Sequence, residues 1–481
     1  MTADANFRSA PTMIATCPRS RCSRRGAIAA IVGVLLVVLI GMVACAFDAG
    51  WIAMTRAQLH AAADAAALAG GTELMQGLGV NATATPADVQ TAATAAAVEF
   101  AGRNPNGDRQ SCYCDGGRDV ILGTAIFDPD AGQWIKTPGA VPYNYVQANL
   151  LRNQGNSGAG DGSLPLFFSR IFAIPNTPVT AFATAVILPA NGIYIEEGSD
   201  DTAGLLPFAF KEEIWRKFEI AHDYYHGDLS HPNFSASEIQ NLVNNPPDPA
   251  PGEEAPRANT GLGAVSDEIG QPLFGVNYEV NTGPAGKRGW YFYQLFHNEY
   301  TVSDDGDVTS GPDDQLEIDI YPNTKTSTST TACSGNFGTI DFGNTNNSTQ
   351  TLVRQITSGL NADDLSYYEG NQITISEEDQ LAAEGDTGIS GGISSALRSI
   401  IGDCRAIVLF RTTNGGSGNN CVFTLVEMVG ATIVEVDLST NNEDKRLFLQ
   451  RCAFSDDSVI ADTDEEINEN TTVFTPLILI E

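Results

Sequence analysis

Basic residues are scarce in this chain: 26 Lys and Arg stand against 59 Asp and Glu in 481 residues, a net charge of −33. A protein that follows phosphate backbones over a broad face needs a cationic surplus, so nucleic acid is excluded as a partner. No C-x-x-C pair and no H-E-x-x-H run occurs, which removes the commonest zinc spacings. No internal repeat of fixed period is present. What the chain does have is bulk apolar material, 42% of residues with 22 Phe, enough to bury sizeable cores. Its length predicts two or three folding units.

The few cations are unevenly placed. Residues 1–25 carry Arg8, Arg19, Arg21, Arg24 and Arg25 against Asp4 alone, whereas the rest of the chain is strongly acidic. Between the two regimes lies Gly26–Phe47, GAIAAIVGVLLVVLIGMVACAF, without a charge. As a helix it spans roughly 33 Å, enough to cross the hydrocarbon core of a bilayer. A basic flank before the run predicts a cytoplasmic N-terminus and an exported C-terminal part, with Trp51 where an interfacial aromatic belongs. A cleaved signal is the first competitor, since Ala44-Cys45-Ala46 has the A-x-A form, but its apolar core is typically about 7–15 residues. A lipoprotein site at Cys45 is disfavoured by Met42. A twin-arginine signal at Arg24-Arg25 lacks bulky apolar residues at Gly26-Ala27. Length favours a retained anchor.

The helix is expected to continue outside the membrane. Trp51–Leu74 is Ala-rich and free of Pro, with Leu59, Ala63, Ala66 and Leu68 along one stripe and Gly70-Gly71 as its stop. A break near Asp48–Gly50 is the alternative. A second Ala-rich helix is predicted at Pro86–Ala101. Asp119–Phe127, Tyr143–Leu151 and Val179–Leu188 then read as strands between Gly, Pro, Asn and Asp. The fold class is therefore α+β: a transmembrane and stalk helix with an antiparallel sheet, a pilin-like outline, followed by a β-rich C-terminal domain.

The expected organisation is a basic cytoplasmic segment 1–25, a transmembrane helix 26–47, stalk helices 48–102, a sheet region 103–190, and an exported domain 191–481 with a Pro-rich loop near 244–260. In that last domain Leu316, Ile318 and Ile320 alternate with Glu317 and Asp319, and Val434, Val436 and Leu438 with Glu435 and Asp437. Both patterns predict strands with one wet face. Ala406–Phe410, Val422–Met428 and Val473–Ile480 are further strand candidates. Ile393, Ala396, Leu397, Ile400 and Ile401 have the spacing of a helix packed on a sheet, with Ser390 near its start.

Arg24-Arg25-Gly26, Phe47-Asp48, Thr55-Arg56-Ala57-Gln58-Leu59 and Ala61–Gly70 (AAADAAALAG), in that order, resemble the N-terminal segment of TadE/TadG-like Flp pilus-assembly proteins. The resemblance extends through Asp119-Val120 with Gly123, Leu164–Phe172 (LPLFFSRIF) and Ala181–Ala185. In the C-terminal half it touches Leu205–Ala209, Gly335–Asp341 and Gly385–Ser390. It implies a bitopic envelope protein that works with a Tad-type pilus machine, its partners being the lipid bilayer and pilin-like or Tad-machine proteins reached through the N-terminal helix. Relatives cut by a prepilin peptidase carry Glu five residues after the cleavage Gly, where this chain has Ile31. Relatives with a metal-dependent adhesion site carry D-x-S-x-S. Here Asp437-Leu438-Ser439-Thr440-Asn441 is the nearest run, with about 40 residues after it, too few for that domain.

Other chemistry is weak in the sequence. Gly388-Ile389-Ser390-Gly391-Gly392 satisfies G-x-S-x-G, but polar, acidic residues 377–386 precede it where a nucleophile elbow needs an apolar strand. His222 and His226, with Asp223, Asp228 and His231, have a metal-compatible spacing that Gly227 interrupts. The acidic stretches 304–314 and 456–469 are candidate calcium loops or, more simply, solvated loops, and position 12 counted from Asp305 is Leu316 instead of Glu. No catalytic, cofactor or metal residue is assigned, and the protein is expected not to be an enzyme. Cys112, Cys114, Cys333, Cys404, Cys421 and Cys452 lie on the side predicted to be oxidising. Cys404 with Cys421 is the first expected bridge, and Cys112 and Cys114 are expected to reach other partners. The expected function is structural, in Flp/Tad pilus assembly. The rival is a membrane-tethered binding protein or adhesin unconnected with pili.

Overall fold

Alanine costs least to place in a helix, and nothing between Arg25 and Thr72 removes a backbone donor. In the structure, a computed structural model, those residues form one continuous helix, α1 (Arg25–Thr72, 48 residues), about 72 Å long. Gly50 lies inside it without a break. The described residues are 25–212 apart from 130 and 155–159; five positions within 215–222; the backbone of 265–266, 272–280 and 290–297; and most of 299–480, without 304, 312, 314, 320–337, 344–347, 377–378, 386–390, 416–420, 439–445, 464 and 469. The basic segment 1–24, the Pro-rich stretch 244–260 and Ser390 lie outside them.

α2 (Pro86–Gly102) starts at a capping box. Thr85 Oγ1 accepts from the Asp88 amide (3.3 Å), Asp88 Oδ2 accepts from the Thr85 amide (3.2 Å), and Pro86 occupies the first turn. α1 and α2 pack together through small residues. A Cβ built on Gly70 would stand 3.0 Å from the Ala93 carbonyl oxygen and 3.3 Å from the Ala97 Cβ, so the close approach of the helices requires glycine there.

Beneath the helices lies a five-stranded sheet. β1 (Val120–Asp128) is flanked by β2 (Gln133–Pro138) and β3 (Tyr145–Arg152), and β3 pairs antiparallel with β4 (Val179–Val186) from Tyr145 opposite Val186 to Arg152 opposite Val179. Val146, Ala148 and Leu150 of β3 and Ala181, Ala183 and Ala185 of β4 alternate onto the face that meets Leu59, Ala62, Ala63, Ala66 and Ala67 of α1. The strand expectations for this region hold to within about two residues.

The second unit is built on a nine-stranded sheet. Its centre holds β5 (Leu205–Lys211), β6 (Glu317–Asp319), β7 (Leu381–Glu384), β8 (Cys404–Gly415), β9 (Cys421–Asp437) and β10 (Arg446–Arg451). The order β6-β10-β9-β8-β5 is antiparallel until its last pair, β8 with β5, which is parallel. Helices α3 (Thr349–Ser358) and α4 (Ser394–Arg398) cover one face, with Leu352, Ile356, Ala396 and Leu397 against Leu409, Val426 and Ile433. Another apolar cluster, including Ile193, Phe342 and Ile373, covers the other face. The last strand, β11 (Ile478–Ile480), returns to the first sheet and pairs with β4, so the two sheets are tied by chain far apart in sequence.

Two expectations are corrected here. Glu317 was expected on a wet face, yet it is fully buried, because this sheet is covered on both sides. Glu435 and Asp437 keep partial access, as the alternation predicts. The Cys404–Cys421 pair does not form. Antiparallel pairing sets Cys404 opposite Thr432 and Cys421 opposite Gly415, at opposite ends of the β8–β9 hairpin. Cys404 instead bonds Cys452, just past β10 (Cα–Cα 6.0 Å), and Cys421 is also disulfide-bonded.

Candidate functional site

The apolar and the soluble parts of α1 meet at Asp48, which is only 3% exposed. Its side chain leaves the helix to hold a loop about 120 residues away. Oδ1 accepts from the amides of Phe167 (3.0 Å) and Phe168 (3.3 Å), and Oδ2 from the amides of Phe168 (3.1 Å) and Ser169 (2.7 Å) and from the Ser169 hydroxyl (2.7 Å). The carboxylate thereby caps a short helical turn, Ser169–Phe172, from outside. Burial pushes this carboxyl up, and the bonds from Ser169, Phe167 and Phe168 together outweigh it, leaving it below its ordinary value. The latch is therefore charged and intact at neutral pH and is lost only as the solution is acidified through that lowered value.

Aromatic rings close the joint. Phe47 meets Phe167 and Phe168 edge-on, with centroids 5.3 and 5.7 Å apart, and Trp51 meets Phe167 at 5.5 Å. Further along α1, Gln58 Oε1 accepts from the Gly107 amide (2.8 Å). The loop carrying Gly107 is tied in turn by buried Arg152, whose Nη1 donates to Asn106 Oδ1 (3.0 Å) and Asp108 Oδ1 (2.7 Å). The first turns beyond Phe47 are thus fixed to the globular part at several points.

Two faces of α1 differ. Ala62, Ala63, Ala66 and Ala67 are enclosed in the core. Gly41, Cys45, Ala49, Ala53, Ala57 and Ala61, at strict i, i+4 spacing, form an inclined ridge of small residues, all exposed except half-buried Gly41, that winds about half-way round the helix so that Ala53, Ala57 and Ala61 lie opposite the packed face. Of the apolar stripe expected at Leu59, Ala63, Ala66 and Leu68, the first three are buried and Leu68 is half-buried; the i, i+4 run of Gly, Cys and Ala is the sequence signal of the exposed row. Asp48 and the LPLFFSRIF run were both visible as motifs, but their contact was not.

The other candidates resolve differently. Of the histidine cluster only His222 is described; it is buried, with Nε2 2.9 Å from Gln315 Oε1. His226, Asp223, Asp228 and His231 lie outside the described residues, as do Ser390 and Ser439–Asn441. Strand β7 lies within the stretch 377–386 that reads as polar and acidic, so a strand does stand shortly before the G-x-S-x-G run. In the acidic stretch 456–469, Asp456 accepts from the amides of Gly204 (3.1 Å) and Ser458 (2.9 Å), and Asp462 accepts from Asn191 (2.7 Å); both carboxylates are used in turns. Among the described residues no group of three or more metal-ligating side chains converges. Cys112 and Cys114 pair with no cysteine. They are buried between α2 and the first sheet as small apolar residues, where burial raises both thiols, Cys114 to about 12.

Glu317 of β6 is a carboxyl fully buried within the second sheet. It accepts from the amides of Glu299 (2.9 Å) and Tyr300 (2.9 Å) and from Gln450 Nε2 (3.1 Å). Burial outweighs these bonds and, with Asp313 nearby, raises its carboxyl to about 7. Between its ordinary value of 4.5 and about 7 the folded chain holds a proton that the unfolded chain has released, so stability falls as pH rises through that window. Glu317→Gln removes the titration and keeps an acceptor for Tyr300. Guanidinium unfolding in detergent at pH 5 and pH 8 is expected to show the variant gaining on the wild type by up to roughly 3 kcal/mol between the two. An unchanged difference would place the charge elsewhere.

Residues 26–73 match the family model Tad, described as putative Flp pilus-assembly TadE/G-like. No curated protein and no solved structure matches the chain. The matched stretch coincides with α1 and ends one residue past it, so the likeness to TadE/G-like Flp pilus-assembly proteins resides in the long helix and the Asp48 that it carries.

Proposed function

We propose that this protein is a structural, non-catalytic component of a Flp/Tad-type pilus assembly system, crossing the inner membrane once at residues 26–47. The N-terminus faces the cytoplasm and the acidic remainder is exported. The carrying observation is the Tad match on a helix whose apolar half is exposed from Ile31 to Phe47 and whose outer half is built into a folded domain. An exposed apolar helix of that length has lipid as its natural solvent. The basic flank supports the orientation, and a disulfide between Cys404 and Cys452 accords with an oxidising compartment.

Contact with pilin-like helices then falls on the part of the ridge opposite the packed face, at Ala53, Ala57 and Ala61, where small side chains let two helix backbones approach. Deleting the gene is expected to remove or sharply reduce surface fibres seen by electron microscopy, with restoration by the wild-type copy. Normal fibres in the deletion strain would leave the tethered binding protein as the better reading.

A further inference from the structure

The loop held by Asp48 has an unusual surface. Leu164 and Leu166 are buried and seat its base, where Leu164 pairs with Thr177 and Pro165 with Asn176. Its outer part is apolar and exposed: Phe167 54%, Phe168 40%, Ile171 80%, Phe172 69% and Ile174 54%. No acidic residue occurs between Leu164 and Thr177 in a chain with 59 of them, and Arg170 is the one charge. A soluble surface rarely gathers five such side chains in eight residues unless something apolar covers them.

Its place in the fold names the cover. The Phe167 and Phe168 rings lie against Phe47, the last residue of the uncharged run, so the loop stands beside α1 at the level where the helix leaves the lipid. The exposed apolar surface of residues 31–47 and that of the loop are continuous there. The backbone is also prepared for a dry setting. Asp48 takes the amides of Phe167, Phe168 and Ser169; Leu166 N–H donates to Pro175 O, Ile171 N–H to Phe168 O, Ala173 N–H to Arg170 O, and Ile174 N–H to Ser169 O. Arg170 is exposed and donates from Nε to Leu166 O (2.6 Å), which leaves the rest of its guanidinium for headgroup phosphates.

We propose that residues 164–175 form a lipid-contacting loop, in which Ile171, Phe172 and Ile174 enter the outer interfacial layer of the bilayer beside α1 and the Asp48 latch fixes their depth. The protein then grips the membrane at two points, which fixes the tilt and rotation of the ridge that α1 offers to other helices. The inference rests on residues 26–47 being a membrane span.

The test uses the full chain in lipid nanodiscs, with p-benzoylphenylalanine in place of Ile171, Phe172, Leu36 or Tyr367, one position at a time. Leu36 lies in the apolar run, and Tyr367 is 62% exposed in the second unit. After irradiation, mass spectrometry is expected to find lipid adducts at 171 and 172 at a yield close to that at 36 and about tenfold above that at 367, as for side chains seated in the acyl boundary. Lipid adducts at 36 but none at 171 and 172 would overturn the loop proposal and leave the anchor standing. Cross-links from 171 or 172 to a second copy of the chain, in place of lipid, would overturn it in favour of a protein partner. Absence of lipid adducts at 36 would overturn the membrane span itself.

Discussion

Leucine at both Ala53 and Ala57 is expected to abolish surface fibres while leaving the protein folded and in the membrane. Both side chains are exposed on α1, one turn apart, in the middle of the ridge that runs from Gly41 to Ala61. Nothing within the chain is displaced by larger groups there, so the stability change should stay within about 0.5 kcal/mol, as for exposed helix positions. A neighbouring helix seated on the ridge would be pushed outward, because packing across small residues depends on near contact of the backbones. Ala63→Leu is the informative contrast. Ala63 is fully enclosed with Ala62, Ala66 and Ala67, so the added bulk strains the core by about 1–3 kcal/mol and lowers the thermal midpoint. Fibres lost in both variants, with the midpoint lowered only in Ala63→Leu, would separate contact from folding. Wild-type fibre numbers in the Ala53→Leu, Ala57→Leu protein would remove the ridge from the assembly.

That contrast also marks where sequence reading stops. Helix α1 was legible because its signals are local: uncharged apolar residues, then alanines, with no proline until Pro86. β1, β3 and β4 were legible from turn residues and β-branched content. The stripe through Leu59, Ala63 and Ala66 was legible and is buried; that Ala62 and Ala67 join it while Ala53, Ala57 and Ala61 stay exposed was not, since alanine stands on both sides of the helix. The distinction comes from α2 and β4, which pack on one face only. The Asp48 latch lay beyond sequence for the same reason, because its donors are amides of a loop 119 to 121 residues away, and amides have no residue signature. Glu317 alternates with Leu316 and Ile318 as a wet strand residue should; only the second layer over that sheet buries it. The return of β11 to the first sheet is likewise a matter of topology.

Breaking the Cys404–Cys452 bond is expected to cause the largest loss of stability of any change considered. The bridge closes a 48-residue segment, for which the chain-entropy relation gives about 4 kcal/mol. That segment contains β8, β9 and β10, the centre of the larger sheet, and β8 also carries the parallel pairing to β5. Freeing it enlarges the unfolded ensemble, and the alanines also remove the sulfur of buried Cys452 and of Cys404, which packs against a core cluster. The double replacement Cys404→Ala, Cys452→Ala should lower the thermal midpoint by about 8–16 °C, taking about 2–4 °C per kcal/mol for a unit of this size. Reductant added to the wild type should have at least as large an effect, because Cys421 is bonded as well. A loss under about 1 kcal/mol would mean that the unfolded chain is already restricted around these strands. The same bond reports on topology. Trapping of thiols in intact cells followed by denaturation should leave Cys404 and Cys452 unlabelled, as an oxidising compartment requires. Full labelling of both would put the larger sheet on the cytoplasmic side and reverse the orientation proposed for α1.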